Sequence, residues 1–458
     1  MRKRMRTISA LGLLLISFVS SPRRATAEEK ETVEEQLLLR VLRDDLDYLD
    51  DNRSVRARIA DLKNADPHVR AMTAYHLAYL GHKAKSAVPA LTAALNDRNA
   101  DVRAMAAYGL AGIGPDARSA VPLLLEAVRD RAPMVRAYAA LALGAVRPPA
   151  KVALPPLLEA LKDEEECVRA WAARALGGFG AEAGPAVTPL IAALFDQSAE
   201  VRSDAAYAFR GVGPTGRDAV LPLVKLVKNK DEEQNTRRNA IIALGVIGPA
   251  AKNAVPALLD ALQDPDNNVR RDAAEALGGI GTGAKSAVPA LLEGLQKESN
   301  WDRRVVIEAL GKIGPEAKAA VPALLDILKG KDENARLTAA LALARISPRH
   351  KDQAIAELRK LLKHDWVTVW TEAASALLCL SPADRVEATD LLRLGLKEKT
   401  TRLWAAWALC ENGPEAKALV PVLIALWKDG QQEEDVRDAV AEALKRIDPA
   451  AAKEAGVP

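Results

Sequence analysis

The residues of this 458-residue chain that could do chemistry are few, beginning with five histidines: His68, His76, His82, His350 and His364. A neutral imidazole can hold a transition metal, but a site needs further ligands at fixed spacing. No His-Glu-x-x-His run occurs, and His76 has no second ligand at useful spacing. Gly278-Gly279-Ile280-Gly281-Thr282-Gly283-Ala284-Lys285-Ser286 approaches a phosphate-binding loop. That loop requires Gly joined directly to Lys and Ser or Thr between a strand and a helix, and here Ala284 intervenes. Gly178-Phe179-Gly180 lacks the strand context of a dinucleotide site. There is no Gly-x-Ser-x-Gly nucleophile elbow. Cys167, Cys379 and Cys410 are odd in number and widely spread, which does not suit a disulfide framework, and they read as packing residues. Glu164-Glu165-Glu166 reads as a solvated loop. The expectation is therefore a chain with no catalytic residues, no metal and no cofactor, and so not an enzyme.

The near-phosphate loop has a plainer origin. It aligns with Gly81-His82-Lys83-Ala84-Lys85-Ser86 and with Ile113-Gly114-Pro115 up to Val121-Pro122, a stretch that returns at Ile247-Gly248-Pro249 and Ile313-Gly314-Pro315. The chain is a repeat array, which overrides a domain count based on length. Each unit reads as a helix, a short loop with Asp, a second helix and a Gly-Pro turn. First helices carry an apolar stripe such as Val88, Leu91, Leu95, and second helices one such as Val102, Ala106, Leu110, Ile113. Pro89, Pro122, Pro256, Pro289 and Pro322 fit the first helical turn, where no N–H is needed. Gly114 is placed to end its helix in the left-handed conformation. The second helices start at Val69, Val102, Val135, Val168, Val201, Thr236, Val269, Asp302, Ala335, Val369, Thr401 and Val436, which makes about twelve units, mostly 33 residues apart. His76 stands where every other unit has Ala or Gly and reads as structural. The units near 345–412 depart most: Ser347-Pro348 and Ser381-Pro382 replace Gly-Pro, and Trp370 replaces the Arg of Val-Arg. Helices are still expected there.

The ends differ from the array. Residues 1–27 hold Arg2, Lys3, Arg4, Arg6, Arg23 and Arg24 and no acid, around an apolar core, Ile8–Val19, and end in Ala25-Thr26-Ala27. This is the pattern of a secretory signal peptide cleaved after Ala27. The mature chain is then expected to be secreted or periplasmic, with no integral membrane span. Removing those bases turns the formal charge of +3 negative, which gives no support for a nucleic-acid partner. Residues 28–50 are acidic with helical apolar spacing and are expected to form a capping helix. The array spans 51–448, and the tail 449–458 is expected to fray.

The repeated Ala-Val-Pro-x-Leu-x-x-x-Leu-x-Asp and Val-Arg-x-x-Ala-Ala-x-Ala-Leu-Gly-x-Ile-Gly-Pro resemble the HEAT-like repeats first described in phycobilisome lyases, which are armadillo-type folds. The resemblance covers nearly all of 51–448. It implies an all-α fold, an α-solenoid of stacked antiparallel helix pairs with the second helices on the concave surface. It also implies a ladder of loop Asp and the Arg six residues on: Asp97 with Arg103, Asp130 with Arg136, Asp163 with Arg169, Asp196 with Arg202, Asp231 with Arg237 and Asp264 with Arg270. Later units lack the Asp, so the ladder should weaken there. Deoxyhypusine hydroxylase, which is similar in architecture, holds iron through His-Glu pairs, and no histidine here is followed by Glu. Bilin lyases are similar too, so an accessory factor or subunit of a cofactor- or pigment-handling enzyme is the alternative reading.

Comparison of the units with one another isolates the groove. The second and fifth positions after the Val-Arg arginine vary freely and lie three apart on one helix face. Early units place Met72, Tyr75, Met105, Tyr108, Tyr138, Trp171 and Tyr207 there. Middle units offer Asp272, Glu275 and Glu308 flanked by Arg238, Arg271 and Arg304, and a late unit offers Trp404 and Trp407. Aromatics, Met and Arg are favoured at interface centres. These residues are expected to bind a protein or extended peptide, with aromatic anchors gripping each end and the charged middle setting register.

Overall fold

The computed structural model describes residues 54–297, 300–429 and 432–457. The signal peptide expected over 1–27, the capping helix expected over 28–50 and residues 51–53 lie outside them. Every regular element among the described residues is helical. Two compact units divide the described residues, one ending at residue 254 and one beginning at residue 255.

The first unit contains α1 (Val55–Asp61), α2 (Pro67–Tyr79), α3 (Val88–Ala94), α4 (Ala100–Ile113), α5 (Val121–Ala127), α6 (Pro133–Val146), α7 (Ala150–Ala160), α8 (Glu166–Gly177), α9 (Val187–Ala193), α10 (Ala199–Val212), α11 (Val220–Lys228) and α12 (Gln234–Ile247). The second contains α13 (Val255–Ala261), α14 (Asn267–Ile280), α15 (Val288–Lys297), α16 (Asn300–Ile313), α17 (Val321–Ile327), α18 (Glu333–Ile346), α19 (Lys351–Leu361), α20 (Val367–Leu380), α21 (Arg385–Lys397), α22 (Arg402–Leu409), α23 (Val420–Lys428), α24 (Glu434–Ile447) and α25 (Pro449–Glu454). Within each unit, second helices pack against second helices of neighbouring repeats.

The local chemistry sets the helix bounds. Asn99 caps α4 by accepting hydrogen bonds from the Asp101 and Val102 N–H groups at 2.8 and 3.1 Å. The other end corrects the expected turn. Gly114 has the positive φ required of it, 71°, but its ψ is −138°, outside the left-handed helical region and open in practice only to glycine. The chain then enters a 3-10 segment, Gly114–Ala120, before Val121-Pro122 opens α5. Arg147 takes the true left-handed conformation (φ 52°, ψ 61°) in place of the Gly turn, and α7 is longer as a result. In the divergent units the 3-10 segment shortens to Pro348–His350 and Pro382–Asp384, and α19 and α21 lengthen.

Small residues let the second helices touch backbone to backbone. A Cβ on Gly112 would lie 2.5 Å from the Ala78 carbonyl oxygen, and one on Gly211 would lie 2.1 Å from that of Gly177. Leu110, Leu143, Leu176, Leu244, Leu277 and Leu310, on the inner sides, are fully buried. Truncating one such leucine to Ala costs about 2–5 kcal/mol.

Two further expectations are corrected. The tail does not fray as expected: Asp448 caps α25 at the Ala451 N–H (3.1 Å), Ala452 is buried, and the Trp427 indole donates to the Ala455 carbonyl at 3.2 Å. The run 234–261 is apolar and long enough to cross a membrane by composition. It is nevertheless two α-helices broken at Gly248, whose φ is 76°.

Candidate functional site: the second-helix face

The charge ladder exists, with a different pairing. Arg103 sends Nε and Nη2 to Asp130 of the next repeat, both at 2.8 Å, and Nη1 to the main-chain oxygen of Asp97 at 2.9 Å. Arg70 grips Asp97 in the same way, Arg136 grips Asp163, and Arg169 grips Asp196. Arg103, Arg136 and Arg169 thus meet the carbonyl, not the carboxylate, of the Asp six residues before them, and Arg70 meets the carbonyl of Asn64 in the same way. The carboxylate also accepts the N–H two residues on, as Asp97 does from Asn99 at 2.9 Å, and so shapes its own loop. Burial would raise the carboxyl pKa of Asp97, Asp130, Asp163 and Asp196, but the arginine and N–H hydrogen bonds outweigh it and hold all four below the usual value.

Arg202 departs from the expected acceptors, because Glu232 rather than Asp231 receives it, at 2.7 and 2.9 Å, and Asp231 is exposed. The preceding helix α11 has nine residues where α9 has seven, which moves the carboxylate. Arg270 donates to the Asp264 and Pro265 carbonyls, and Asp264 accepts from the Asp266 N–H. Further on, Arg336 uses Glu357 and Arg402 uses the neutral Gln432. The Trp370 indole, in place of an arginine, lies over Gly395.

The early aromatic row contradicts the groove expectation for most of its members. Met72, Tyr75, Met105, Tyr108 and Tyr138 are all buried, at 5% exposure or less. Tyr75 stacks on Tyr108 with centroids 5.8 Å apart, Tyr108 lies 5.2 Å from Tyr138, and Tyr138 lies 6.3 Å from Trp171. The physical reason is the repeat itself: where successive units carry rings at neighbouring positions, each ring covers the next. Aromatic pairs gain from such offset and edge contacts. Trp171 and Tyr207 are half-buried, with the Arg174 guanidinium 5.5 and 4.5 Å from their rings, and Arg210 also lies over Tyr207. His76 is buried edge-on to Tyr75.

Sequence reasoning missed Asp204. It is buried on α10 and bridges to Arg174 at 3.1 Å. Burial pushes its carboxyl up to about 6 despite that arginine. The available signal was an acid at the second position after Arg202, one repeat beyond Trp171 at the equivalent site. The cysteines also divide. Cys167 and Cys410 are buried, and burial raises the Cys410 thiol to about 11, whereas Cys379 is exposed, against expectation, and accepts from the Asn412 amide at 3.1 Å.

In the second unit the same face stays open. Trp404 and Trp407 on α22 are 46% and 51% exposed. Glu275 is exposed, Arg271 is half-buried against Asp272 at 3.1 Å, and Arg304 reaches Glu308 at 3.6 Å. The protein around Glu308 and Glu372 raises both carboxyls, and Arg304 opposes this in each case. Among the described residues no group of three His, Cys, Asp or Glu side chains is placed to hold a metal.

The family model for HEAT repeats matches residues 55–133, 121–210, 220–311 and 288–378, well over half of the chain. No curated protein sequence matches it. Among solved structures the chain is similar to yeast importin-beta (TM-score 0.56, 15% identity, 91% of this chain and 67% of that one). It is also similar to a chain of the Kap95:Nup1 complex (TM-score 0.54, 14% identity, 95% and 68%). The complex of CpcE and CpcF of phycocyanin lyase from a Nostoc species shows 23% identity over 52% of this chain and 94% of that one, with a TM-score of 0.38.

Proposed function

We propose that this chain, which belongs to the HEAT-repeat family, is a protein-binding scaffold that performs no chemistry of its own and takes an extended peptide or a domain of a partner on its second-helix face. The observation that carries this reading is the exposed pair Trp404 and Trp407. Large aromatics left open side by side are what interface centres use, and the equivalent rings of the first unit are covered. The importin-beta fold, seen in the Kap95:Nup1 complex, supports a solenoid of this kind carrying a protein. The proposed setting is secreted or periplasmic, supported by the basic, apolar and Ala-Thr-Ala segments of residues 1–27.

The test is affinity capture with the chain purified from an envelope or secreted fraction, beside a Trp404→Ala/Trp407→Ala variant of unchanged helicity. A protein held by the parent and released by the variant is the expected result. Capture of nothing specific by either form would overturn the scaffold reading. Mass spectrometry of the purified chain should place its first residue at Glu28; an intact Met1 in a cytoplasmic fraction would overturn the setting.

A further inference from the structure

The open face of the second unit carries a charge pattern as well as rings. Trp404 and Trp407, three residues apart, share one side of α22, and Glu411 lies in the turn just after it. Arg304, Glu308 and Lys312 line α16 in the same way, and Glu372 occupies the position on α20 that Trp404 occupies on α22. A straight stack of helices ~10 Å apart would separate α16 from α22 by roughly 30 Å. Yet Glu308 is influenced by the charges of Glu275 and Glu411, and Glu372 by those of Arg304 and Glu308. Side chains three repeats apart interact, so this face lies on the inside of a curve.

The acids outnumber their partners on that inside. Arg304 meets Glu308 and Arg271 meets Asp272. Among the described residues Glu275, Glu372 and Glu411 close no salt bridge. Trp427, by contrast, already carries the Arg437 guanidinium 4.9 Å from its ring centre. The indoles of Trp404 and Trp407 stand open on α22, with Glu372 at the equivalent position of the preceding repeat and Glu411 four residues after Trp407. One ligand chemistry answers both features, because a guanidinium or ammonium stacks on an indole face and is neutralised by a carboxylate. An acidic or neutral segment would leave the carboxylates desolvated and unpaired, at a cost.

We propose that Trp404 and Trp407, together with Glu275, Glu308, Glu372 and Glu411, form a docking surface for an extended, arginine- or lysine-bearing segment of a partner protein. This rests on the scaffold reading and specifies the chemistry of its partner.

The experiment uses the full chain and a fluorescein-labelled 12-residue peptide with Arg at every third position between Gly and Ser. A second peptide has Glu in place of Arg. Fluorescence anisotropy should show salt-sensitive binding of the Arg peptide and none of the Glu peptide. Glu308→Gln/Glu372→Gln and Trp404→Ala/Trp407→Ala should each weaken binding roughly tenfold. Glu182→Gln, on an exposed turn of the first unit, should leave it unchanged, and circular dichroism confirms that each variant is folded. Absence of binding, equal binding of the two peptides, or indifference to both double substitutions would overturn the proposal. A partner captured as above and still held by both double variants would overturn this surface while leaving the scaffold reading intact. Dimerisation of the free chain, abolished by Trp404→Ala/Trp407→Ala, would assign the face to a second copy and also overturn the proposal.

Discussion

The two units place aromatic residues at the same repeat positions and use them oppositely. Tyr138 follows Arg136 by two residues and is 1% exposed. Trp404 follows Arg402 by two and is 46% exposed. Tyr138 has Tyr108 on one side and Trp171 on the other. Trp404 has Glu372 at the equivalent position of the preceding repeat and Ala439 at that of the following one. A repeat position is therefore neither core nor surface by itself. It becomes core when the units on either side supply matching bulk, and stays available for a partner when they supply charge or a methyl group.

The contrast breaks most visibly at its buried end. Tyr138→Ala should destabilise the first unit by about 3–5 kcal/mol, the usual cost of removing a buried ring. Urea melting together with hydrogen exchange across Pro133–Val146 would check this. A loss under 1 kcal/mol would mean that the row is not a packed seam. Next comes the ladder. Arg136→Ala strands the Asp163 carboxylate, both side chains being 13–14% exposed. It should cost about 3 kcal/mol, as expected when one partner of a largely buried pair is removed. Because the ladder carboxyls lie below their ordinary 3.8, their contribution is fully present above that value and lost as pH falls through the depressed pKa. The difference between parent and Arg136→Ala should therefore shrink in strong acid.

Asp204 gives an effect of opposite sign. Its pKa is raised from 3.8 to about 6, so the folded chain binds the proton more tightly than the unfolded chain. The resulting stability is fully present below pH 3.8 and lost as pH rises through about 6. Asp204→Asn, which keeps an oxygen for Arg174, should match the parent near pH 3.5. Above pH 6 it should gain up to about 3 kcal/mol over the parent. A flat difference across that range would contradict it. The smallest effect is expected at the open face. Trp407→Ala should change stability by no more than about 0.5 kcal/mol, measured by the same urea melts, and a larger loss would place that indole in the core after all.

The sequence pattern carried the architecture well. Val-Arg starts, loop acids and Gly turns mark the second helices to within a residue or two, because those features are themselves the capping chemistry. It identified the ladder's members but paired them within a repeat, whereas geometry pairs Arg103 with Asp130 across repeats. Spacing along a chain reveals which residues are equivalent; it does not reveal the offset between stacked copies. The same limit hid the burial of Tyr75 and Tyr108, since each is covered by a residue about 30 positions away. Glu232 displaced Asp231 because two extra residues in α11 shift the carboxylate. The tail helix was missed because its anchor, Trp427, donates to a main-chain oxygen that no side-chain pattern announces.

The ladder also has a mechanical meaning. Each clasp joins one repeat only to the next, so a pull along the second unit passes through its links in series, and the weakest sets the yield point. Arg336 holds the ionised Glu357 and Arg359 holds Asp384, but Arg402 holds the uncharged amide of Gln432, where the equivalent link in the first unit, from Arg202, has Glu232. An ion pair adds the attraction of opposite charges, which the Arg402 to Gln432 hydrogen bond lacks. Of these three clasps the Arg402 one should yield first under tension, at the place where the two exposed indoles stand.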